Sequence, residues 1–176
     1  MDDQLGIIGV WVTAAGVRRV DFRSAGDVEP TRPEEQLSTQ APPPHLATVL
    51  AALAEYLKGA RRAFGLPLDL SAITPFQRRV YDRLLGIPYG HVVTYGDVAR
   101  AVGGGDATAR AVGQAVGANP AAILVPCHRV VAADLRLGGF GGGLARKAVL
   151  LRREGIDVEG TETTSRVRPD VLRLPF

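Results

Sequence analysis

Cysteine is nearly absent from this sequence, which has only Cys127 among its 176 residues. A single cysteine excludes an internal disulfide and any zinc site built from several thiolates, so we expect no bound metal. No apolar run approaches the roughly 20 residues that a membrane-spanning helix needs, so we expect no membrane partner. A free thiol is typical of a reducing compartment, which favours a cytoplasmic location.

Lysine is also scarce, and arginine supplies nearly all of the positive charge. Residues 71–155 carry 11 basic and 5 acidic groups, a net charge of +6, whereas residues 1–70 have a net charge of −2 and residues 156–176 of −1. This concentration indicates that the middle of the chain meets a polyanion, and arginine suits bidentate contacts with phosphate. A solvated cationic face would show the same charge pattern.

Residues 1–70 predict a small α+β domain. Two strands joined by a tight turn fit residues 5–22, and a polar, proline-rich loop fits residues 24–44. A helix follows over 45–60, and a short strand near 67–71 could join the hairpin. The apolar positions that we assign to the buried face of this helix are Leu46, Val49, Leu50, Leu53 and Leu57. Nothing here suggests catalysis, so we expect a scaffold.

Residues 71–155 predict a second, mainly helical domain. Thr74 followed by Pro75 is typical of a helix start, and Thr94 begins a second helix. Glycines at 103–105 end that helix, and Asp106 is predicted to cap a third helix over 107–118. Two short helices joined by a glycine turn form a helix-turn-helix pattern, although most such pairs serve only packing. Residues 156–176 show no clear period and are predicted to be a C-terminal tail.

The lone cysteine lies in the segment "ILVPCHRVVAA", residues 123–133. A cysteine nucleophile must become a thiolate, which needs a base or a positive environment. His128 is adjacent, but neighbouring side chains generally point apart, so a bridging water is a better proton path than direct contact. Arg129 adds a cation or pairs with a carboxylate. Each residue alone is more often structural than catalytic.

The segment "PCHRVV", preceded by "ANPAAILV" and followed by "GGFGGGLARKAVLLRREG", resembles the active-site region of the O6-alkylguanine-DNA alkyltransferases. The upstream "TYGDVARAVGGGDATARAVGQAVGANP" is similar to the helix-turn-helix of that family. The resemblance runs without a gap from about Thr74 to Gly155. It implies that residues 1–70 form the small ribonuclease-H-like N-terminal domain of the family, beside a helical C-terminal domain with the helix-turn-helix.

The resemblance also implies a role for each catalytic residue. Cys127 would attack the alkyl carbon on guanine O6, His128 would deprotonate it through a water, and Glu154 would orient His128. Asn119 would brace the turn that presents Cys127. Tyr95 would donate a hydrogen bond or proton to the leaving guanine. No dissociable cofactor is expected.

Further positions that match the family lie along the DNA and around the base. Arg110 would replace the flipped nucleotide in the base stack. The DNA-contacting residues implied by the resemblance are Arg110, Arg129, Thr94, Ala109 and Gly113. The residues implied for the substrate pocket are Val130, Phe140 and Gly141.

The sequence departs from the family pattern at three points. Phe140 lacks the hydroxyl that is common at its position, and Leu135 stands where glycine is frequent. The zinc-binding N-terminus of some members has no cysteines here. None of these differences touches the core chemistry.

The resemblance implies a DNA repair protein, a methylated-DNA–protein-cysteine methyltransferase. It would act as a monomer on double-stranded DNA containing O6-alkylguanine and move the alkyl group irreversibly to Cys127. The main alternative is a non-enzymatic protein that binds alkylated DNA, against which Cys127 argues. A helix-turn-helix regulator with a structural cysteine and a cysteine hydrolase are two further alternatives.

Overall fold

The computed structural model describes residues 4–23, 45–104, 106–160 and 164–168. The proline-rich segment 24–44 and much of the expected tail lie outside these ranges. The described residues form five α-helices, namely α1 (Leu46–Leu57), α2 (Pro75–Leu85), α3 (Tyr95–Ala101), α4 (Asp106–Gly117) and α5 (Leu144–Arg153). They also form six strands, namely β1 (Ile7–Thr13), β2 (Gly16–Arg23), β3 (Val93–Thr94), β4 (Val130–Val131), β5 (Val158–Glu159) and β6 (Arg166–Val167).

The first two strands form the expected antiparallel hairpin, with Ala14 and Ala15 in its turn. The strand expected near 67–71 is reduced to a single parallel bridge between Leu68 and Val17. Pro67 O accepts a hydrogen bond from Val17 N at 2.8 Å. The segment therefore lies against the hairpin without extending it by a full strand.

Helix α1 buries part of the expected face, because Val49 and Leu53 are buried as predicted and Leu57 packs against the core. Its buried residues are Val49, Ala52, Leu53 and Tyr56, whereas Leu50 is 50% exposed. Positions 49, 53 and 56 follow the spacing of one helical face, and Leu50 lies beside that face. The prediction was wrong for Leu50, and by counting only aliphatic residues it omitted Tyr56.

The helix starts of the C-terminal part follow the sequence closely. The Thr74 hydroxyl accepts a hydrogen bond from Gln77 N, and the Gln77 side chain accepts one from Thr74 N. Thr94 and Asp97 form the same reciprocal pair at the start of α3. Such a pair satisfies two backbone donors that the first helical turn leaves open. Helix α3 packs on α4 across the short connection between them.

One cluster of contacting buried side chains joins both halves of the chain. It includes Val17 and Val49 from the N-terminal part and Val80, Val112 and Cys127 from the C-terminal part. Described residues on both sides of the predicted boundary near residue 70 therefore share one core.

A second cluster extends past residue 155. Ile156, Val158 and Val167 pack there with Leu151 and Leu137. The first part of the expected tail is thus packed against α5, and β5 pairs with β6 in an antiparallel register. None of the helices among the described residues has the length and hydropathy of a membrane-spanning segment.

Candidate active site around Cys127

Cys127 begins a 3-10 turn, Cys127–Arg129, which leads directly into β4. The Asn119 amide donates hydrogen bonds to Cys127 Sγ at 3.0 Å and to Val125 O at 2.9 Å. Its carbonyl oxygen accepts a hydrogen bond from Ala121 N at 3.0 Å. One side chain therefore fixes the approach to the cysteine and contacts its sulfur.

The approach to Cys127 contains a strained residue. Ile123 has a φ of 72°, in the left-handed region that β-branched residues rarely adopt. Such a conformation costs on the order of 1–3 kcal/mol and persists only where the surroundings impose it. Its side chain is buried in the main core cluster, which holds the turn in this shape.

Glu154 is the centre of a buried hydrogen-bond network. Its Oε1 accepts from Tyr56 Oη at 2.6 Å, from His128 Nε2 at 2.8 Å and from Arg129 Nη2 at 2.8 Å. Its Oε2 accepts from Arg129 Nε at 2.8 Å and from Gly90 N at 3.3 Å. Burial acts to raise the pKa of Glu154, but His128 and Arg129 outweigh it and lower the pKa to about 2. The carboxylate is therefore ionised at neutral pH.

This carboxylate determines the tautomer of His128. An ionised carboxylate can only accept, so Nε2 carries the proton and Nδ1 has the free lone pair. Nδ1 is buried and has no hydrogen-bond partner among the described residues. Burial lowers the pKa of His128, although the bond to Glu154 acts in the opposite direction. The imidazole is thus held neutral, with its basic nitrogen unengaged.

The thiol of Cys127 is protonated at rest. Burial raises its pKa, against the opposing effects of the Asn119 amide and the Lys147 charge. Only 4% of the residue is exposed. A base is therefore needed to form the thiolate, and His128 is the adjacent candidate.

Tyr56 is a site residue that the sequence analysis missed. It comes from α1, in the part expected to be only a scaffold, yet its hydroxyl reaches Glu154 and lies 3.3 Å from His128 Nε2. Burial and the nearby Glu154 charge raise its pKa, so it remains a donor. Its spacing from Val49 and Leu53 was the available signal for its burial.

Lys147 is a second missed residue, and it is fully buried. Its ammonium donates to Val130 O at 2.6 Å and also to Leu137 O, with Gly139 O at 3.5 Å. Burial lowers its pKa to about 8. These bonds tie the strand after Cys127 to the start of the glycine loop.

The glycine loop closes one side of a cavity that reaches Cys127. The cavity has a volume of about 260 Å³, and Asn119, Phe140 and Gly141 line it. An adjoining surface groove shares Phe140 and Gly141 and continues along Tyr95 and Arg110. The two spaces together lead from the surface of α4 to the buried sulfur.

Tyr95 and α4 form the outer part of this groove. The Tyr95 hydroxyl donates to Gly139 O at 3.2 Å, and burial together with the nearby Cys127 raises its pKa to about 12. Arg110 is exposed, and Ala109 and Gly113 line the same groove. A Cβ added to Gly113 would meet open space, so the helix surface is free for close approach there.

Three residues implied for contact are buried, namely Arg129 and Thr94, implied for DNA contact, and Val130, implied for the substrate pocket. Arg129 is 5% exposed, with its guanidinium on Glu154 and on Ile87 O, so this side chain cannot also reach a DNA backbone. Thr94 is buried because its hydroxyl caps α3. Val130 is fully buried in β4, and its carbonyl binds Lys147. All three are therefore buried residues that stabilise segments next to the site.

The backbone of Leu135 has a φ of 66°, in the left-handed region that favours glycine. This conformation accounts for the glycine that is frequent at the matching position of the family. Its side chain is buried in the second core cluster. Within residues 4–23, 45–104, 106–160 and 164–168, no three His, Cys, Asp or Glu side chains meet in a way that could hold a metal ion.

Comparisons with known proteins agree with this geometry. Residues 75–156 match the family model described as 6-O-methylguanine DNA methyltransferase, DNA binding domain. A methylated-DNA–protein-cysteine methyltransferase of Mycobacterium leprae is 49% identical over 108 residues, 61% of this chain and 64% of that protein. The constitutive enzyme of that name from Bacillus subtilis is 46% identical over 114 residues, 64% of this chain and 68% of its own length.

Comparison of the fold with solved structures indicates the same family. The crystal structure of Mycobacterium tuberculosis OGT in complex with DNA superimposes with a TM-score of 0.70 and 36% identity, over 88% of this chain and 89% of that chain. The chain belongs to the O6-methylguanine-DNA methyltransferase family. The sequence alignments span 59% to 64% of the length of the first mycobacterial relatives. Cys127, His128 and Glu154 all lie within residues 75–156, the region that the family model matches.

Proposed function

We propose that this protein repairs DNA by transferring the alkyl group of O6-alkylguanine irreversibly to its own Cys127. The observation that carries the proposal is the buried hydrogen bond between Glu154 and His128, next to the turn that presents Cys127. This bond leaves His128 Nδ1 as a free base. The similarity to relatives that are named methylated-DNA–protein-cysteine methyltransferases supports the same activity.

The proton path starts at the thiol. His128 Nδ1 takes the proton of Cys127, through a water because adjacent side chains point apart. Glu154 then stabilises the imidazolium, in the way a carboxylate assists histidine in hydrolytic triads. The Asn119 amide and the Lys147 charge both lower the free energy of the thiolate.

The thiolate then displaces guanine from the alkyl carbon. The new S–C bond forms as the C–O6 bond breaks, and the bonding electrons leave with O6. Tyr95 donates a hydrogen bond or a proton to that base as its charge grows, since its raised pKa keeps the phenol protonated. The products are guanine in DNA and a thioether, which no base in the site can cleave, so each molecule acts once.

Access to the buried sulfur requires the base to leave the helix. Helices α3 and α4 would act as a helix-turn-helix, with Arg110, Ala109 and Gly113 at the duplex and Arg110 in the space vacated by the flipped base. The groove from Arg110 past Tyr95 to the Cys127 cavity supports this path. The net charge of +6 over residues 71–155 supports binding to the phosphate backbone.

The remaining parts of the proposal concern organisation. Residues 1–70 would form a domain related to ribonuclease H, residues 71–155 the DNA-binding and active-site domain, and 156–176 a C-terminal extension. The protein would act as a cytoplasmic monomer. The non-enzymatic alternative, a protein that only binds alkylated DNA, is not favoured because the chain has a cysteine placed for attack.

A stoichiometric assay tests this function. Protein in known amount is mixed with an excess of duplex DNA carrying O6-methylguanine with a labelled methyl group, and label on protein and DNA is counted over time. We expect transfer to stop at one methyl group per protein molecule. Continued turnover, or release of label to solvent, would contradict an irreversible acceptor. The Cys127→Ser variant should bind the DNA and transfer nothing, since a hydroxyl is a far poorer nucleophile near neutral pH.

A further inference from the structure

The cavity at Cys127 has a wall from the N-terminal hairpin. Besides Asn119 and the glycine loop, Val20 and Phe22 of β2 line it. The Phe22 and Phe140 rings are in contact, with centroids 5.8 Å apart and planes tilted by 57°. Two aromatic rings from distant parts of the chain therefore face the same cavity.

Hydrogen bonds from Arg146 fix this wall to the rest of the site. Arg146 of α5 donates to Leu5 O at 2.9 Å, to Arg23 O at 3.3 Å and to Gly142 O at 3.2 Å. Its guanidinium carbon also lies 5.6 Å from the centroid of the Phe22 ring. One side chain thus connects the hairpin to the glycine loop and lies over the Phe22 ring.

Gly142 shows how closely the two rings approach the loop. A Cβ at this position would lie 2.6 Å from Phe22 Cδ2 and 2.7 Å from Phe140 Cε1. No such contact occurs between real side chains, so the rings occupy this space only because residue 142 is glycine. The aromatic wall is a packed part of the site.

From this placement we propose that Phe22 determines specificity by contacting alkyl groups larger than methyl. The inference rests on the proposed function and assigns to Phe22 the discrimination between small and large alkyl groups. A group of water size takes roughly 30 Å³, so a methyl on Sγ fills little of the cavity of about 260 Å³. A benzyl group extends toward the ring pair, and aromatic rings favour the tilted contacts available there.

The test compares two alkyl groups in one protein. Single-turnover rates are measured on duplexes carrying O6-methylguanine or O6-benzylguanine, for wild type, Phe22→Ala, Phe22→Leu and the control Phe76→Ala. Phe76 is a partly buried aromatic of α2 that contacts Arg79, and it does not line the cavity. Melting curves show which variants remain folded, and Phe22→Leu serves if the alanine variant does not fold.

We expect Phe22→Ala to lower the benzyl rate about tenfold relative to the methyl rate, the scale of discrimination in apolar pockets. Phe22→Leu should lower it about threefold, and Phe76→Ala should leave the ratio unchanged. An unchanged ratio in both Phe22 variants, or faster benzyl transfer, would overturn the inference while leaving the proposed function intact. A wild-type protein that transfers neither group would refute the proposed function and the inference with it.

Discussion

The Tyr56 hydroxyl donates a 2.6 Å hydrogen bond to Glu154 Oε1 across 98 positions of sequence. The contact joins α1, in the N-terminal part, to the carboxylate that holds His128. Both side chains are buried, so the bond forms only when the two parts of the chain are packed together. The N-terminal part therefore contributes directly to the electrostatics of the site.

Tyr56→Phe should move the acid limb of the pH–rate profile to higher pH. Without this donor, more of the negative charge on Glu154 is available to His128, and the pKa of the imidazole rises. The free energy of unfolding should fall by about 1.5–3 kcal/mol, the range for a hydrogen bond to a charged group. Single-turnover rates between pH 5 and 9, with denaturant unfolding, measure both effects.

Tyr81→Phe is the matched control for that variant. Tyr81 is a buried tyrosine whose hydroxyl donates to Ala115 O at 2.9 Å, outside the Glu154 network. It should lose stability without a shift of the acid limb, which reports the protonation of His128. If both variants leave the profile unchanged, Tyr56 is only a packing residue.

Glu154→Gln should slow transfer and weaken the dependence of the rate on pH. The amide cannot stabilise an imidazolium as a carboxylate does, so His128 becomes a weaker base. Arg129 also loses its charge partner, and breaking a buried ion pair typically costs about 3–5 kcal/mol. Glu159→Gln, at an exposed position of β5, is the control and should change neither property. Wild-type kinetics in Glu154→Gln would remove this residue from the mechanism.

Acid should destabilise the wild-type protein more than the Glu154→Gln variant. The pKa of Glu154 is lowered from 4.5 to about 2 on folding, so its contribution is present above about pH 5 and is lost as pH falls toward 2. Unfolding free energies measured from pH 7 down to pH 3 test this. Equal slopes in the two proteins would show that other groups control acid unfolding.

Arg110→Ala should slow repair of duplex DNA at least about tenfold more than reaction with free O6-benzylguanine. Extrusion of a base costs a few kcal/mol, and the free base needs no extrusion. Arg79→Ala, at an exposed position of α2, is the control for a lost positive charge. Equal slowing on both substrates would mean that Arg110 supports the fold or the chemistry instead.

Alkylation should lower the melting temperature. The Asn119 amide lies 3.0 Å from Cys127 Sγ, so a group added to the sulfur disturbs the side chain that braces the turn. A thioether sulfur accepts this hydrogen bond less well, and an intramolecular hydrogen bond typically contributes about 0.5–1.5 kcal/mol. Melting curves of free and methylated protein, with mass spectra confirming one adduct, provide the measurement. Identical curves would show that the turn absorbs the adduct without cost.

Local signals predicted the helix starts well, because helix caps depend on neighbours in sequence. The Thr74–Pro75 and Thr94 starts are confirmed by their reciprocal hydrogen bonds. The roles of Tyr56 and Phe22 could not be predicted from the sequence, because each depends on packing between distant segments. Arg129 was ambiguous for the same reason, since only the fold shows that a carboxylate 25 positions away neutralises it.

The most direct test of the central claim is to locate the transferred group on the protein. The protein is reacted with duplex DNA carrying O6-methylguanine, digested, and analysed by peptide mass spectrometry. The account predicts that the peptide containing Cys127 gains the mass of one methylene and that no other peptide changes. A methyl group found on another residue, or lost from the DNA without appearing on the protein, would contradict the account.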